Sequence, residues 1–324
     1  MPTPHLLGLQ GAPRGEIVSL LRAARAMSER IERADPALQR ALAGRVVANL
    51  FFEDSTRTRM SFTVAAKRLG AEVIDLLGSN SSVSKGETLI DTARNIEAMG
   101  VGALVVRAKQ AGAAALIASR VAVPVLNAGD GRHEHPTQGL LDAYSLAEAH
   151  GRLDGFDLAG LRVAIVGDVA ASRVARSAIA AMSALGAQVT CVGSASLAPR
   201  ALEGLGCAVT DDLDGVLPAL DAVMMLRIQF ERYDAASPAS PGSPPPRPNV
   251  IASVREYRAR FALTQARADR MKPGAIVMHP GPINRGLELD AEVADGPRSV
   301  ILRQVSNGVA VRMAVLERLL TAPR

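Results

Sequence analysis

The run Ser55-Thr56-Arg57-Thr58 sets three hydroxyls and a guanidinium in four consecutive residues. The apolar stretch 46–52 before it reads as a buried strand, and Phe62, Ala66 and Leu69 after it keep helical spacing as far as Gly70. The tetrapeptide therefore lies where a strand turns into a helix. The unpaired N–H groups and positive dipole end of a helix start form an anion site. Hydroxyls and a forked guanidinium add donors suited to a small phosphate. No P-loop or GxGxxG accompanies the run, so a nucleotide is not the obvious guest. Read alone, the same four residues also describe an N-cap with solvated arginines.

The theme returns at the ends of other apolar runs. Arg107 follows 103–106, Arg173 follows 162–166 by way of Gly167, Asp168 and Ser172, and Arg227 with Gln229 follows 222–226. One arginine at a strand end is common, whereas four suit a pocket for several anionic groups. Beyond 124–126 comes His135, directly before Pro136, with Gln138 about one turn further on. An imidazole and an amide so placed could orient a planar carbonyl compound, although His135 alone is equally a structural helix-start residue. His279-Pro280-Gly281-Pro282 closes the run 275–278. His133-Glu134-His135 does not make a metal site, because adjacent residues converge poorly on one ion and no further ligands cluster nearby. No metal or cofactor is expected. The polar stretch from Ser79 to Glu87 holds Ser81 and Lys85 and feeds a helix through a capping box, Ser84 to Glu87. It reads either as an arm presenting a cation or as a solvated loop.

Positioning these groups calls for an α/β scaffold. Apolar runs at 46–51, 72–76, 103–106, 124–126, 162–166, 188–192, 222–226 and 275–278 alternate with helical stretches at 87–99, 136–149, 172–185 and 256–270. Such alternation implies two doubly wound parallel-sheet domains with helices on both faces. The expected division is 1–137 plus 304–324 for one domain and 138–303 for the other, with the last helix, 304–320, packing back on the first. The stretch 235–248, dense in Pro and Ser, excludes regular helix or strand.

Composition narrows the class. The 324 residues, 48% hydrophobic and 21% charged, suit a soluble two-domain protein. No apolar run reaches a membrane span, and Met1 to Gly11 lacks the pattern of a signal peptide. Only Cys191 and Cys207 are present, so a reducing cytoplasm is expected. The net charge of +5 comes from scattered arginines among acids, with 3% aromatics and no Trp, which argues against nucleic acid.

Taken in order, these segments resemble the aspartate/ornithine carbamoyltransferase family over nearly the whole chain, from Val46 to the last helix. The resemblance implies that Ser55, Thr56, Arg57, Thr58 and Arg107 hold the phosphate of carbamoyl phosphate. It implies that Thr58, Arg107 and His135 polarise the carbonyl oxygen. Gln138, with backbone carbonyls near Gly281 and Pro282, would hold the carbamoyl amino group. Arg173 matches the arginine for the α-carboxylate of aspartate, and Arg227 with Gln229 the group for its β-carboxylate. Ser81 and Lys85 match residues that reach into a neighbouring subunit's site, Lys85 toward aspartate, which implies a homotrimer. The resemblance leaves open a regulatory chain or a dihydroorotase as further partner.

Within the family, an ornithine enzyme is expected to carry Cys in its HP-x-Q and late HCLP-type motifs. Here Thr137 and His279-Pro280-Gly281-Pro282 stand there, which favours aspartate, in pyrimidine synthesis. The alternatives are carbamoylation of another amino acid and a catalytically silent assembly partner. Two departures stand out: the proline content of 235–248, and Ser84 where some members have a second basic residue.

Overall fold

The computed structural model describes residues 5–77, 87–228, 251 and 253–321. Among them, β1 (Val46–Phe51), β2 (Glu72–Leu77), β3 (Ala103–Ala108) and β4 (Val125–Asp130) form an all-parallel sheet in the order β2-β1-β3-β4. A second all-parallel sheet orders β5 (Arg162–Val166), β6 (Gln188–Val192), β7 (Ala208–Thr210), β8 (Ala222–Met225) and β9 (Ile276–Met278) as β7-β6-β5-β8-β9. The strand order reverses between β1 and β3 and again between β5 and β8. In such sheets ligands collect in the crevice at those reversals, beyond the carboxyl ends of the strands.

The helices are α1 (Arg14–Glu32), α2 (Thr56–Arg68), α3 (Leu89–Ala98), α4 (Ala113–Ala118), α5 (Pro136–Ala149), α6 (Arg173–Ala184), α7 (Leu213–Val216), α8 (Val254–Phe261), α9 (Gln265–Ala268), α10 (Ala291–Ala294) and α11 (Ile301–Thr321). Alternation along the strands sends side chains to opposite faces. Val47, Phe51, Ala103 and Val105 join the core under α1, α2 and α11. Ala48, Leu50, Leu104 and Val106 meet Ala93 of α3 and Ala114 and Ile117 of α4. In the second sheet Val163, Ile165 and Met224 share the first core with α5 and α6, while Ala164, Val166 and Met225 pack on Tyr257 and Phe261 of α8.

One apolar core therefore runs from the first sheet through α5 and α6 into the second. Phe62, fully buried in α2, illustrates the stakes, since truncating such a side chain to Ala costs about 3–5 kcal/mol. At the α5–α6 crossing Gly139 has no room for a β-carbon, which would lie 2.4 Å from the Ser177 carbonyl oxygen. The absent side chain lets α5 and α6 pack closely at that point.

Several sequence expectations are corrected here. The single helix over 256–270 is two, α8 and α9. Leu263 is buried between them and donates its N–H to Glu288 O at 2.9 Å, pulling the chain out of the helix, and Thr264 then caps α9. The strand at 124–126 continues to Asp130, so Asn127 is in the strand and not in a loop after it. The described cap of α3 is Thr88, whose hydroxyl accepts from the Asp91 N–H at 3.1 Å, and Ser84 lies outside the described residues. Helices α1 and α4 and strand β7 were not anticipated.

Candidate active site

Ser55 is the N-cap of α2 in extended conformation, and its hydroxyl makes no capping bond. The first turn holds no acid, so its N–H groups and the hydroxyls of Ser55 and Thr56 stay available to an anion. Thr58 is buried one turn in. Arg57 reaches across to the turn after β9. Gly281 there has φ +65°, and a β-carbon on it would lie 2.5 Å from Arg57 Nη1. Burial, and then the neighbouring Arg227, lower the Arg57 pKa from its ordinary value. Two guanidiniums held this close favour an anion between them.

Glu53, just beyond β1, collects two more. It accepts from Arg107 Nη2 at 3.0 Å and from Arg173 Nη1 at 2.9 Å, and its other contact with Arg173 Nη2 is shorter still. Arg107 also donates to Ala128 O at 3.2 Å, and Arg173 to Gly131 O at 3.2 Å. Gly129, at φ +117°, makes room for both, since a β-carbon would sit 2.9 Å from Arg173 Nε and 3.1 Å from Arg107 Nη1. The end of β3 and the start of α6 are thus tied through one carboxylate.

His135 caps the start of α5. Its backbone N–H donates to Ser177 Oγ at 2.9 Å, and that hydroxyl donates to Glu134 at 2.6 Å. Glu134 also accepts from the N–H groups of Leu9 and Gln10, at 2.9 and 2.8 Å. It anchors the N-terminal segment and is not poised as a ligand. Among the described residues no group of three or more His, Cys, Asp or Glu could hold a metal. Both ring nitrogens of His135 are buried without a hydrogen-bond partner among the described residues. Burial, followed by repulsion from Arg107, Arg312, Arg173 and Arg57, holds its pKa well below 6.5. The ring is neutral, with one N–H to give and no acceptor for it among the described residues.

A narrow cleft lined by Arg57, Thr58, Gln138, His279, Gln304 and Arg312 continues from this point. Gln138 donates its amide to Asp142 at 2.9 Å, and Gln304 of α11 donates to the same oxygen at 2.8 Å. Gln304 in turn accepts the His279 N–H at 2.9 Å. His279 Nδ1 accepts from the Gly281 N–H at 2.7 Å, so its other nitrogen faces Glu288 and the turn bearing Gly281 and Pro282 is pinned. Arg312, buried over the Phe62 ring, donates to Ser61 Oγ at 2.9 Å. Its pKa is pulled down to about 10, by burial first, so it stays charged at neutral pH.

The structure therefore brings Ser55, Thr56, Arg57, Thr58, Arg107, His135, Gln138, Arg173, Arg227, Gly281 and Pro282 to one crevice between the sheets. Arg227 enters it as the electrostatic neighbour of Arg57 and His279. Ser81, Lys85, Gln229 and the stretch 235–248 lie outside the described residues. Sequence reasoning missed Glu53, Asp142, Gln304 and Arg312. An acid in a run of arginines, and the four-residue spacing from Gln138 to Asp142 on one helix, were the available signals.

The arrangement defines an α/β protein whose crevice between two parallel sheets, rich in guanidiniums around a buried imidazole, suits anionic small molecules. Family models identify it further: one for the aspartate/ornithine carbamoyltransferase, carbamoyl-P binding domain, matches residues 4–148, and one for the Asp/Orn binding domain matches residues 159–319. The chain belongs to the aspartate/ornithine carbamoyltransferase family. It is 55% identical over 313 residues to the aspartate carbamoyltransferase catalytic subunit of Myxococcus xanthus, covering 97% of this chain and 98% of that one. It superposes on Trypanosoma cruzi aspartate transcarbamoylase in complex with N-(phosphonacetyl)-L-aspartic acid with a TM-score of 0.83 at 32% identity, covering 97% of this chain and 94% of that one. The same enzyme in complex with carbamoyl phosphate and aspartate gives a TM-score of 0.82 at 30% identity, with coverages of 97% and 95%.

Proposed function

We propose that the chain is an aspartate carbamoyltransferase, which moves the carbamoyl group of carbamoyl phosphate to the amine of L-aspartate in pyrimidine synthesis. The observation that carries the reading is His135, a buried neutral imidazole with both nitrogens unpartnered among the described residues, set among Arg57, Arg107, Arg173 and Arg312. Such a ring donates to a carbonyl oxygen without adding a charge that the arginines would oppose. T. cruzi aspartate transcarbamoylase, of like fold, is known in complex with both proposed substrates.

In this mechanism the α2 N-terminus with Ser55, Thr56, Arg57, Thr58 and Arg107 receives the phosphate. Thr58, Arg107 and His135 donate to the carbonyl oxygen as the aspartate amine attacks and an oxyanion forms. Gln138 and the backbone carbonyls of the Gly281–Pro282 turn take the carbamoyl N–H groups. Arg173 and Arg227, with Gln229, hold the two carboxylates of aspartate. Phosphate then leaves, and one of its oxygens accepts the amine proton. No protein nucleophile is required: juxtaposition and preorganised donors supply the rate.

The site is completed in a homotrimer, with Ser81 and Lys85 contributed by a neighbour. Exposed Met60 and Val64 of α2 and Ile74 of β2 lie on the two elements flanking the first sheet's edge just before residues 78–86, and they support a self-association surface there. We likewise read residues 1–137 with 304–324 as the carbamoyl-phosphate unit and 138–303 as the aspartate unit, in a cytoplasmic enzyme. Among the described residues no helix is long and apolar enough to cross a membrane. The test is formation of carbamoyl-aspartate and phosphate with L-aspartate against L-ornithine. Turnover confined to ornithine would overturn the reading.

A further inference from the structure

Asp142 of α5 is fully buried, and one of its oxygens, Oδ1, accepts from Gln138 Nε2 at 2.9 Å and from Gln304 Nε2 at 2.8 Å. Gln304 cannot trade ends, because its own oxygen accepts the His279 N–H at 2.9 Å. The other Asp142 oxygen is buried with no hydrogen-bond partner among the described residues, so a proton carried there would leave Oδ1 still accepting. A side-chain amide presents oxygen and nitrogen ends of nearly the same shape, and only its partners decide which way it faces. Gln138 lines the cleft with Arg57 and Thr58, and with its nitrogen committed to Asp142 the oxygen is the end of the amide left to serve that cleft.

We propose that Asp142 is a positioning residue that fixes the polarity of the Gln138 amide and thereby makes the site select a carbamoyl group over an acyl group of the same shape. The inference rests on the carbamoyl-transfer reading above. Carbamoyl and acetyl phosphate differ by NH2 against CH3. An inward oxygen on Gln138 pairs with the amino group, and facing a methyl it is left buried and unpaired, which costs binding. Freed from Asp142, the amide rotates, and its NH2 end no longer tells the two ligands apart. Asp142 touches no substrate and acts only through Gln138.

The test uses the full chain, with carbamoyl-aspartate formation as readout. The measured quantity is the ratio of the inhibition constant of acetyl phosphate to the KM of carbamoyl phosphate. Asp142→Leu and Asp142→Ala both remove the accepting oxygen, one keeping volume and the other leaving space, and folding is checked by thermal unfolding. Each is expected to lower the ratio about tenfold or more, whatever happens to kcat. Asp142→Asn, which keeps an accepting oxygen in place, is expected to stay within about threefold of the parent chain. An unchanged ratio in the Leu and Ala variants would overturn the proposal even if turnover fell, since that pattern describes a scaffold residue. An Asn variant as unselective as the other two would overturn it as well. A parent chain that forms no carbamoyl-aspartate would sink the carbamoyl-transfer reading instead.

Discussion

Glu53 and Arg173, 120 residues apart in the chain, meet as a two-point ion pair that ties the end of β1 to the start of α6. Arg173 is almost fully buried and Glu53 is shared with Arg107, so the pair fixes two guanidiniums at once. Glu53→Ala should free Arg173 to swing and raise KM for aspartate roughly ten- to a hundredfold, the scale of a lost charge-assisted bond. Steady-state kinetics with each substrate varied in turn reads this directly. An unchanged KM for aspartate would mean that Glu53 does not position Arg173.

Gly281 should be intolerant of any side chain. At φ +65°, Gly281→Ala is strained, and its methyl would lie 2.5 Å from Arg57 Nη1. The expected loss is about 10²-fold in kcat, comparable to removing a single oxyanion donor, with overall stability lowered only slightly. Wild-type kcat in this variant would show that Arg57 needs no fixed seat.

His135 should not titrate near neutrality. Its folded pKa is depressed by burial and then by Arg107, Arg312, Arg173 and Arg57. A depressed imidazole leaves the unfolded chain binding the proton more readily. The stabilising effect is therefore present above the unfolded pKa of 6.5 and is lost as pH falls below it. His279, also depressed, acts in the same direction. The His135 imidazole resonances should not shift between pH 6 and 8, whereas a midpoint within about that window would contradict the neutral-donor role.

Asp142 gives the opposite slope. Burial, opposed by bonds from Gln304 and Gln138 and by the charge of Arg312, raises its pKa from 3.8 to about 7. A raised carboxyl pKa means the folded chain holds the proton more tightly. Its contribution is complete below pH 3.8 and is lost as pH rises through about 7, a change of order 4 kcal/mol. Thermal unfolding should show Asp142→Asn gaining on the parent chain from pH 5 to pH 8, and parallel curves would refute the assignment.

Shared sites should complement. Lys85→Ala and Arg57→Ala chains, each inactive alone, should regain activity when mixed and exchanged, because some sites then carry both intact residues. In a randomised trimer at equal mixing roughly a quarter of such sites are whole. Failure after verified exchange would argue that each chain holds a complete site.

The strand ends were legible because a parallel sheet puts its chemistry in one place, and Arg57, Arg107, His135 and Arg173 could be read from the apolar runs before them. Helix α5 matched its reading because Pro136 marks its first turn unambiguously. The residues that went unseen act through contacts made across the fold. Gln304 and Arg312 belong to α11 yet line the cleft with Gln138, a proximity no local pattern encodes. Glu53 was visible but had no role until Arg173 arrived from the second sheet. The break between α8 and α9 was likewise hidden, because Leu263 leaves the helix only to reach Glu288.

Helix α11 starts beside β9, where the Val300 N–H meets Val277 O at 2.9 Å, and ends in the core beneath α1 and α2. Val311, Val315 and Leu316 fill that core, so the first sheet depends on residues that follow the second sheet in the chain. Until α11 is in place the first sheet keeps an open apolar face, and the site between the sheets is incomplete. Truncation within α11 would therefore disable the α2 end of the crevice first, although the residues that build that end lie far earlier in the chain.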